Sequence, residues 1–320
     1  MKVRFHAVYI EVFGACNLRC NLCPQGSITP RGDRALGTMS PAVLKKVLVA
    51  LRQYPGAPPY VNLYNWGEPT LHRQLGELIE IAGQQGFKAT ISSNLVKMPD
   101  PLSFLRPNLA MISISMSGFS DETYGVNHVG GSFPQVLDNI VRLLDCIRAA
   151  GLPTRIELRF HIYKYNVHEL PHAAAFCRDR QMIFNPYYGN LGSIEGMIAY
   201  FGEDTSERTE SFREYVQKHV FVEKICQNSL EGHTIETCSQ TQILPIGWDG
   251  SLLTCCAVWD DPVARLKIWE ADLDEYATSR EENDFCRLCK SKGWAADINT
   301  VIKPEPEIWI GQTPVGDIFT

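Results

Sequence analysis

Residues 8–23 of this 320-residue chain read VYIEVFGACNLRCNLC, and the rest of the sequence is interpreted outward from them. Residues 8–13 form a short apolar run, which predicts a buried strand. Three cysteines follow it at CxxxCxxC spacing: Cys16, Cys20 and Cys23. Thiolates at such close spacing are typical ligands of iron–sulfur clusters, with zinc as the rival metal. Because three cysteines leave a tetrahedral zinc site incomplete and no histidine follows closely, the spacing favours a cluster with one iron open to another ligand.

This motif resembles the defining motif of the radical S-adenosylmethionine (SAM) enzymes. The resemblance implies a SAM-binding [4Fe–4S] cluster on Cys16, Cys20 and Cys23, whose open iron holds the amino and carboxylate groups of SAM. In that family the reduced cluster splits SAM into methionine and a 5′-deoxyadenosyl radical. An external electron donor of the flavodoxin or ferredoxin type is therefore expected as a partner. Leu22 stands where the family usually has an aromatic residue.

Composition and charge narrow the class of protein. Hydrophobic residues make up 45% and charged residues 21% of the chain, which is typical of a globular protein with an ample core. A net charge of −6 gives no support for binding to nucleic acid or to an anionic membrane. We find neither a signal peptide nor an apolar run of the roughly 18 residues that span a membrane. The clustering of the eleven cysteines indicates metal binding in a reducing compartment, so we expect a cytoplasmic protein.

Strands and helices alternate up to residue 188. The predicted strands cover 8–13, 61–64, 88–93, 112–116, 155–162 and 182–188, and the predicted helices cover 42–52, 75–85, 133–150 and 167–180. This order predicts an α/β fold with a parallel sheet. Six units match the partial (β/α)6, TIM-like barrel of the resembled family, although alternation alone leaves a doubly wound sheet open. In such barrels the chemistry lies on the loops after the strands.

The loop after the second strand contains Gly67, Glu68 and Pro69, which resemble the family's GGEP motif with Trp66 in place of its first glycine. The resemblance implies that the backbone and the glutamate hold the SAM amino group. A carboxylate is a suitable acceptor for an ammonium group, and glycine permits close approach of the backbone. An ordinary Gly-Glu-Pro turn is the alternative interpretation.

Polar residues on the next strands complete the expected cofactor site. Ser93 and Asn94 follow the third strand, where the family has residues that contact ribose or methionine, and Ser115 has a similar place on the fourth. Arg159, on the fifth strand, either pairs with the SAM carboxylate or forms an internal salt bridge. His161, at the end of that strand, either lines the substrate cavity or packs in the core.

After residue 188 the pattern changes to a glycine-rich loop over 189–202 and an amphipathic helix over 203–224. We therefore predict a barrel domain over 1–200 and a second, cysteine-rich domain over 201–320. Cys238 and Cys255 flank a predicted hairpin with an Asp-Gly turn at C-x11-G-x4-C spacing, and Cys286 and Cys289 form a CxxC. On chemistry alone, these four ligands suit a zinc ribbon or an iron–sulfur cluster equally.

Beside a radical SAM motif, the four cysteines resemble the Twitch domain, the shortened form of the SPASM domain. That resemblance implies one auxiliary [4Fe–4S] cluster on Cys238, Cys255, Cys286 and Cys289. Cys256 is left over and should face away from its neighbour on a strand. It is either a buried apolar thiol or a hydrogen-atom donor, and a register in which it replaces Cys255 as ligand stays open.

Three reactions compete for this site: epimerisation with a cysteine hydrogen donor, oxidation of an alcohol to a ketone, and thioether crosslinking of a peptide. Peptide-modifying relatives usually carry an extra N-terminal domain, for which we expect no room before a strand that begins near residue 8. The leading hypothesis is epimerisation of a carbohydrate or aminocyclitol in antibiotic or other specialised biosynthesis, with Cys256 as donor. Dehydrogenation of the same substrate class is the alternative, and a non-enzymatic metal module is a third. Residues 302–320 are predicted to form an extended strap over the barrel.

Overall fold

The computed structural model describes residues 4–28, 36–259, 266–299 and 301–305. Its seven strands form one parallel sheet in the order β6-β5-β4-β3-β2-β1-β7. The strands are β1 (Ala7–Ile10), β2 (Tyr60–Asn62), β3 (Lys88–Ser93), β4 (Leu109–Met116), β5 (Arg155–Ile162), β6 (Ile183–Tyr188) and β7 (Ile243–Ile246). The predicted α/β class with a parallel, partial barrel sheet is confirmed.

Helices follow most of the strands. They are α1 (Pro41–Gln53), α2 (Leu75–Gln84), α3 (Pro101–Phe104), α4 (Asp121–Asn127), α5 (Phe133–Ala149), α6 (Leu170–Asp179), α7 (Ile194–Phe201), α8 (Glu207–His219), α9 (Val222–Ile225), α10 (Gln227–Leu230), α11 (Leu273–Arg280), α12 (Asp284–Ser291) and α13 (Trp294–Asn299). Local signals set their ends. The Ser40 side chain accepts a hydrogen bond from the Val43 amide (3.3 Å) at the start of α1, and α5 ends before Gly151, whose φ is +59°.

The two faces of the sheet differ in polarity. Ile112, Ile114 and Leu158 are fully buried on the face that packs against the helices, whereas the alternate positions of the same strands are polar. Ser113 of β4 lies opposite Glu157 of β5 in the register of the sheet. A parallel sheet covered on both faces usually has continuous apolar strands. The polar alternation therefore predicts that this face borders a cavity.

Two parts of the second half differ from expectation. The segment 189–202, predicted as a loop, contains α7, because Ser193 caps it by accepting from the Gly196 amide (3.1 Å) and Ile194 is buried. The helix predicted over 203–224 is broken into α8 and α9. β7, from the predicted second domain, pairs in parallel with β1, and the return arm of the expected hairpin meets it at an Ile246–Leu252 bridge. The division into two domains stays a prediction.

Residues from both ends of the second half reach the side of the barrel between β6 and β7. The Ile194 amide donates to the Ala257 carbonyl (2.8 Å), and the Tyr188 amide at the end of β6 donates to Ile302 (3.0 Å). The described part of the predicted strap therefore contacts the barrel, and residues 306–320 lie outside the described residues. In the described parts of the chain, no helix has the length and apolarity needed to cross a membrane.

Candidate functional site

A cavity of about 390 Å³ lies at the carboxyl ends of the strands, bordered by residues that follow β1 to β6. Most of the residues predicted for the cluster and the cofactor line it together: Cys16, Cys20, Cys23, Gly67, Glu68, Ser93, Asn94 and Ser115. The loops after different strands thus bring distant parts of the sequence to one site, as the barrel prediction requires.

The three cysteines of the first motif are half-buried at this cavity. The Leu18 amide lies 3.4 Å from the Cys16 sulfur, and the Asn94 side-chain nitrogen lies 3.6 Å from it. Burial raises the pKa of Cys16 to about 12 and that of Cys23 to about 11, so free thiols here would stay protonated. Soft sulfur ligands with N–H donors beside them fit an iron–sulfur cluster, whose positive irons would favour the thiolate form.

The ligands of a multi-iron cluster bind different irons and do not converge on one point. Within the described residues, no three histidine, cysteine, aspartate or glutamate side chains lie close enough to hold a single metal ion. The thiols instead border cavities, here and at the second set of cysteines described below.

Gly67 and Glu68 hold the loops of the site together. A Cβ atom on Gly67 would lie 1.6 Å from the Phe13 carbonyl oxygen, so only glycine fits at this approach. The buried Glu68 carboxylate accepts from the Thr70 amide (3.0 Å) and from the Asn94 amide (2.8 Å), which ties the loop after β2 to the loop after β3. Burial raises the pKa of Glu68. Pro69 begins a short 3-10 turn, Pro69–Leu71, and does not line the cavity.

Of the two alternatives considered for Arg159, the structure shows the internal salt bridge. Its Nε lies 2.8 Å from a Glu157 carboxylate oxygen, and its guanidinium donates to the Tyr64 hydroxyl (3.3 Å). Glu157 also accepts from Ser113 and Asn185. Burial acts to raise the pKa of Glu157, but Arg159 and these donors outweigh it and lower the pKa overall. Arg159 is therefore held by Glu157 and Tyr64 and is not one of the residues that line the cavity.

A hydrogen-bonded pair on β5 and β6, His161 and Tyr187, forms another part of the cavity wall. His161 Nε2 lies 2.7 Å from the Tyr187 hydroxyl, and its Nδ1 lies 3.3 Å from Ser117 Oγ. Burial and the nearby Arg159 lower the pKa of His161 to about 4, so the ring is neutral at pH 7. Burial raises the pKa of Tyr187 to about 12. Sequence reasoning considered His161 but missed Tyr187, which the alternation of β6 would have placed on the inner face.

The four cysteines of the second set line one cavity, together with Arg280. Cys286 and Cys289 lie one turn apart on α12, and Cys255 lies on the segment beyond β7. The Ala257 amide is 3.4 Å from the Cys255 sulfur. Burial raises the pKa of Cys255 to about 12, opposed by that amide and by the Arg280 charge. Four thiols around one space fit a metal cluster, as the three thiols of the first site do.

Cys256 does not line the four-cysteine cavity. Tyr64, burial and the Cys256 thiol together raise the pKa of Tyr9 on β1 well above its usual range. The Tyr9 ring packs edge-on against Tyr64 with 5.3 Å between centroids, and Tyr64 lines the central cavity. Burial also raises the pKa of Cys256 itself. Cys255 thus lines the four-cysteine cavity and Cys256 does not, while Cys256 acts on the pKa of Tyr9, the aromatic neighbour of the cavity residue Tyr64.

Comparison with known proteins defines the class. The family model of the radical SAM superfamily matches residues 10–177, and the chain belongs to that superfamily. It is therefore a SAM-binding enzyme and, by family, a [4Fe–4S] protein. The matched residues run from the end of β1 to α6 and include the first three cysteines.

Individual relatives are distant. The Fe-coproporphyrin III synthase of Methanosarcina barkeri (strain Fusaro / DSM 804) is 28% identical over 158 residues, which are 49% of this chain and 37% of that protein. The solved structure of native anSMEcpe with bound AdoMet has a TM-score of 0.55 at 13% identity, covering 92% of this chain and 84% of that one. Streptococcus suis SuiB bound to SAM has a TM-score of 0.58 at 15% identity, covering 91% and 72%. At these identities the structures show a shared fold.

Proposed function

We propose that this enzyme epimerises a carbohydrate or aminocyclitol, with Cys256 as the donor of a hydrogen atom. When bound, the cluster and SAM supply a species that abstracts a hydrogen atom from a C–H bond. The chain's own residues contribute the next step, the return of a hydrogen atom to the substrate. The observation that supports it is the difference between two adjacent thiols: Cys255 lines the four-cysteine cavity, whereas Cys256 does not and acts on the pKa of Tyr9 in β1.

The depth of Cys256 suits inversion at carbon. Tyr9 lies within β1, whereas Cys16 lies on the loop that follows this strand. A substrate bound between these levels would lose hydrogen on the side of the cysteine loop and regain it from the side of Cys256. Because an S–H bond is weaker than the C–H bond that forms, the transfer is favourable. One electron from an external donor and one solvent proton then restore the thiol.

The cavity wall supports a neutral, hydroxyl-rich substrate. Its polar groups away from the cysteines and Glu68 are uncharged donors and acceptors: Tyr64, Asn65, Ser92, Ser115, Tyr187 and Asn190. Hydroxyl and amide groups at several points of a wall match the several hydroxyls of a sugar or cyclitol.

The test uses anaerobically reconstituted enzyme with a panel of amino sugars and aminocyclitols in heavy water. We expect one deuterium at the inverted carbon, because the thiol proton exchanges with solvent. Cys256→Ala should lose product yet still form 5′-deoxyadenosine, because the cofactor site is unchanged. Cys146→Ala, at a half-buried cysteine of α5, is the matched control and should retain product. Full product from Cys256→Ala would contradict the proposal.

Dehydrogenation of the same substrate class is the second candidate, and the His161–Tyr187 pair favours it. A neutral imidazole hydrogen-bonded to a cavity hydroxyl is a suitable acceptor for the proton of a substrate hydroxyl. After a hydrogen atom and this proton are lost, the one remaining electron would pass to the cluster that Cys238, Cys255, Cys286 and Cys289 would hold, and the product would be a ketone without solvent deuterium. It would also tolerate Cys256→Ala and be slowed by His161→Phe.

A further inference from the structure

Arg280 is a buried cation whose hydrogen bonds are all to backbone. It ends α11, and the whole residue is 5% exposed. Its guanidinium donates to the carbonyl oxygens of Thr254 (2.7 Å), Ile243 (2.7 Å), Gln240 (3.0 Å) and Thr241 (3.4 Å). No acidic side chain among the described residues forms an ion pair with it. A buried charge held only by neutral groups is costly unless a negative charge lies nearby.

Such a negative charge has two places beside Arg280: the four-cysteine cavity, and a groove that Glu270, Asp272 and Glu275 line. Arg280 lines that cavity, and it also lines the groove, of about 320 Å³, on its other side. Thr254 borders both spaces as well. Arg280 therefore lies between the thiols and the groove. On the cavity side, little solvent screens its charge.

We propose that Arg280 is a positioning residue that holds a fixed positive charge against the auxiliary [4Fe–4S] cluster and raises its reduction potential. This inference rests on the proposed cluster at Cys238, Cys255, Cys286 and Cys289. Each electron added to a thiolate-ligated cluster makes it more negative. A nearby buried cation therefore stabilises the reduced state over the oxidised one.

Lys290 provides a matched comparison at the same cavity. Its side chain also lines the four-cysteine space, but its Nζ lies 2.9 Å from the Glu281 carboxylate. Since this cation carries its own counter-charge at the surface, removing it should change the field at the thiols much less. The two residues separate an unpaired buried charge from a paired surface charge.

The experiment is a potentiometric titration followed by electron paramagnetic resonance. It uses the full chain with Cys16, Cys20 and Cys23 changed to Ala, so that one cluster titrates. Arg280→Gln, which keeps an amide donor but no charge, should lower the reduction potential at unchanged iron content. Arg280→Lys, which keeps the charge, should stay closer to the parent. Lys290→Gln should shift the potential less than Arg280→Gln does.

The outcomes distinguish the effect of Arg280 on the reduction potential from the existence of the auxiliary cluster. An unchanged potential in Arg280→Gln with iron retained would overturn the proposal. Loss of iron from both the Gln and the Lys variant would also overturn it, because Arg280 would then serve only to hold four backbone carbonyls in place. If the parent triple variant gives no iron–sulfur signal, the proposed auxiliary cluster is contradicted. That failure is distinct from a failure of the Arg280 proposal, which requires an intact cluster with an unchanged potential.

Discussion

The Glu157–Arg159 pair gives a sharp test of how the barrel interior is built. Arg159→Met would leave the Glu157 carboxylate, whose side chain is 7% exposed, without its cation. Breaking a buried ion pair by removing one partner typically costs about 3–5 kcal/mol. Ser113 and Asn185 would still donate to Glu157, so we expect a loss near the lower end, about 3 kcal/mol. Anaerobic urea unfolding followed by circular dichroism measures it.

The double variant Glu157→Gln/Arg159→Met distinguishes the ion pair from simple loss of packing. With both charges gone, its destabilisation should fall short of the sum of the two single variants by roughly 1–3 kcal/mol. Because Arg159 does not line the cavity, the SAM affinity of the folded Arg159→Met variant should change less than about tenfold, or 1.4 kcal/mol. Unchanged stability together with a much larger loss of SAM affinity would refute this assignment and return Arg159 to the SAM carboxylate.

Two further predictions concern the site itself. Gly67→Ala would place a methyl group 1.6 Å from the Phe13 carbonyl oxygen, so it should cost about 1–3 kcal/mol and abolish SAM binding, measured by equilibrium dialysis. Gly125→Ala, where an added Cβ meets nothing within 4 Å, is the control and should leave SAM binding intact. Replacing both Cys286 and Cys289 by Ala should remove about four irons of about eight while SAM cleavage persists. Bound zinc with no loss of iron would instead favour a structural ribbon.

The order of strands and helices in the first half could be predicted because each element carries its own signal. The strand at Arg155–Ile162 agrees with prediction at both ends, and α1 (Pro41–Gln53) agrees with the predicted 42–52 to within one residue at each end. The CxxxCxxC motif also marks the site directly, because its chemistry permits few other uses, and the Gly-Glu-Pro turn marks it by its place after the second strand.

Other features depend on contacts between distant residues, which no local pattern contains. The glycine-rich sequence before α7 suggested a loop, but a cap at Ser193 and burial of Ile194 outweigh the low helix propensity of Gly196. β7 became a barrel strand because its partner is β1, more than 230 residues away. The hydrogen bond from Arg159 to Tyr64, 95 residues away, was equally out of reach.

The measurement that tests the central claim most directly is made on the Cys16, Cys20 and Cys23 triple Ala variant. The intact protein, reconstituted without oxygen, should hold about eight irons per chain, and the variant about four. On reduction with dithionite in the presence of SAM, the intact protein should release 5′-deoxyadenosine and the variant none. Sustained SAM cleavage by the variant would contradict the assignment of the SAM-binding cluster to these three thiols.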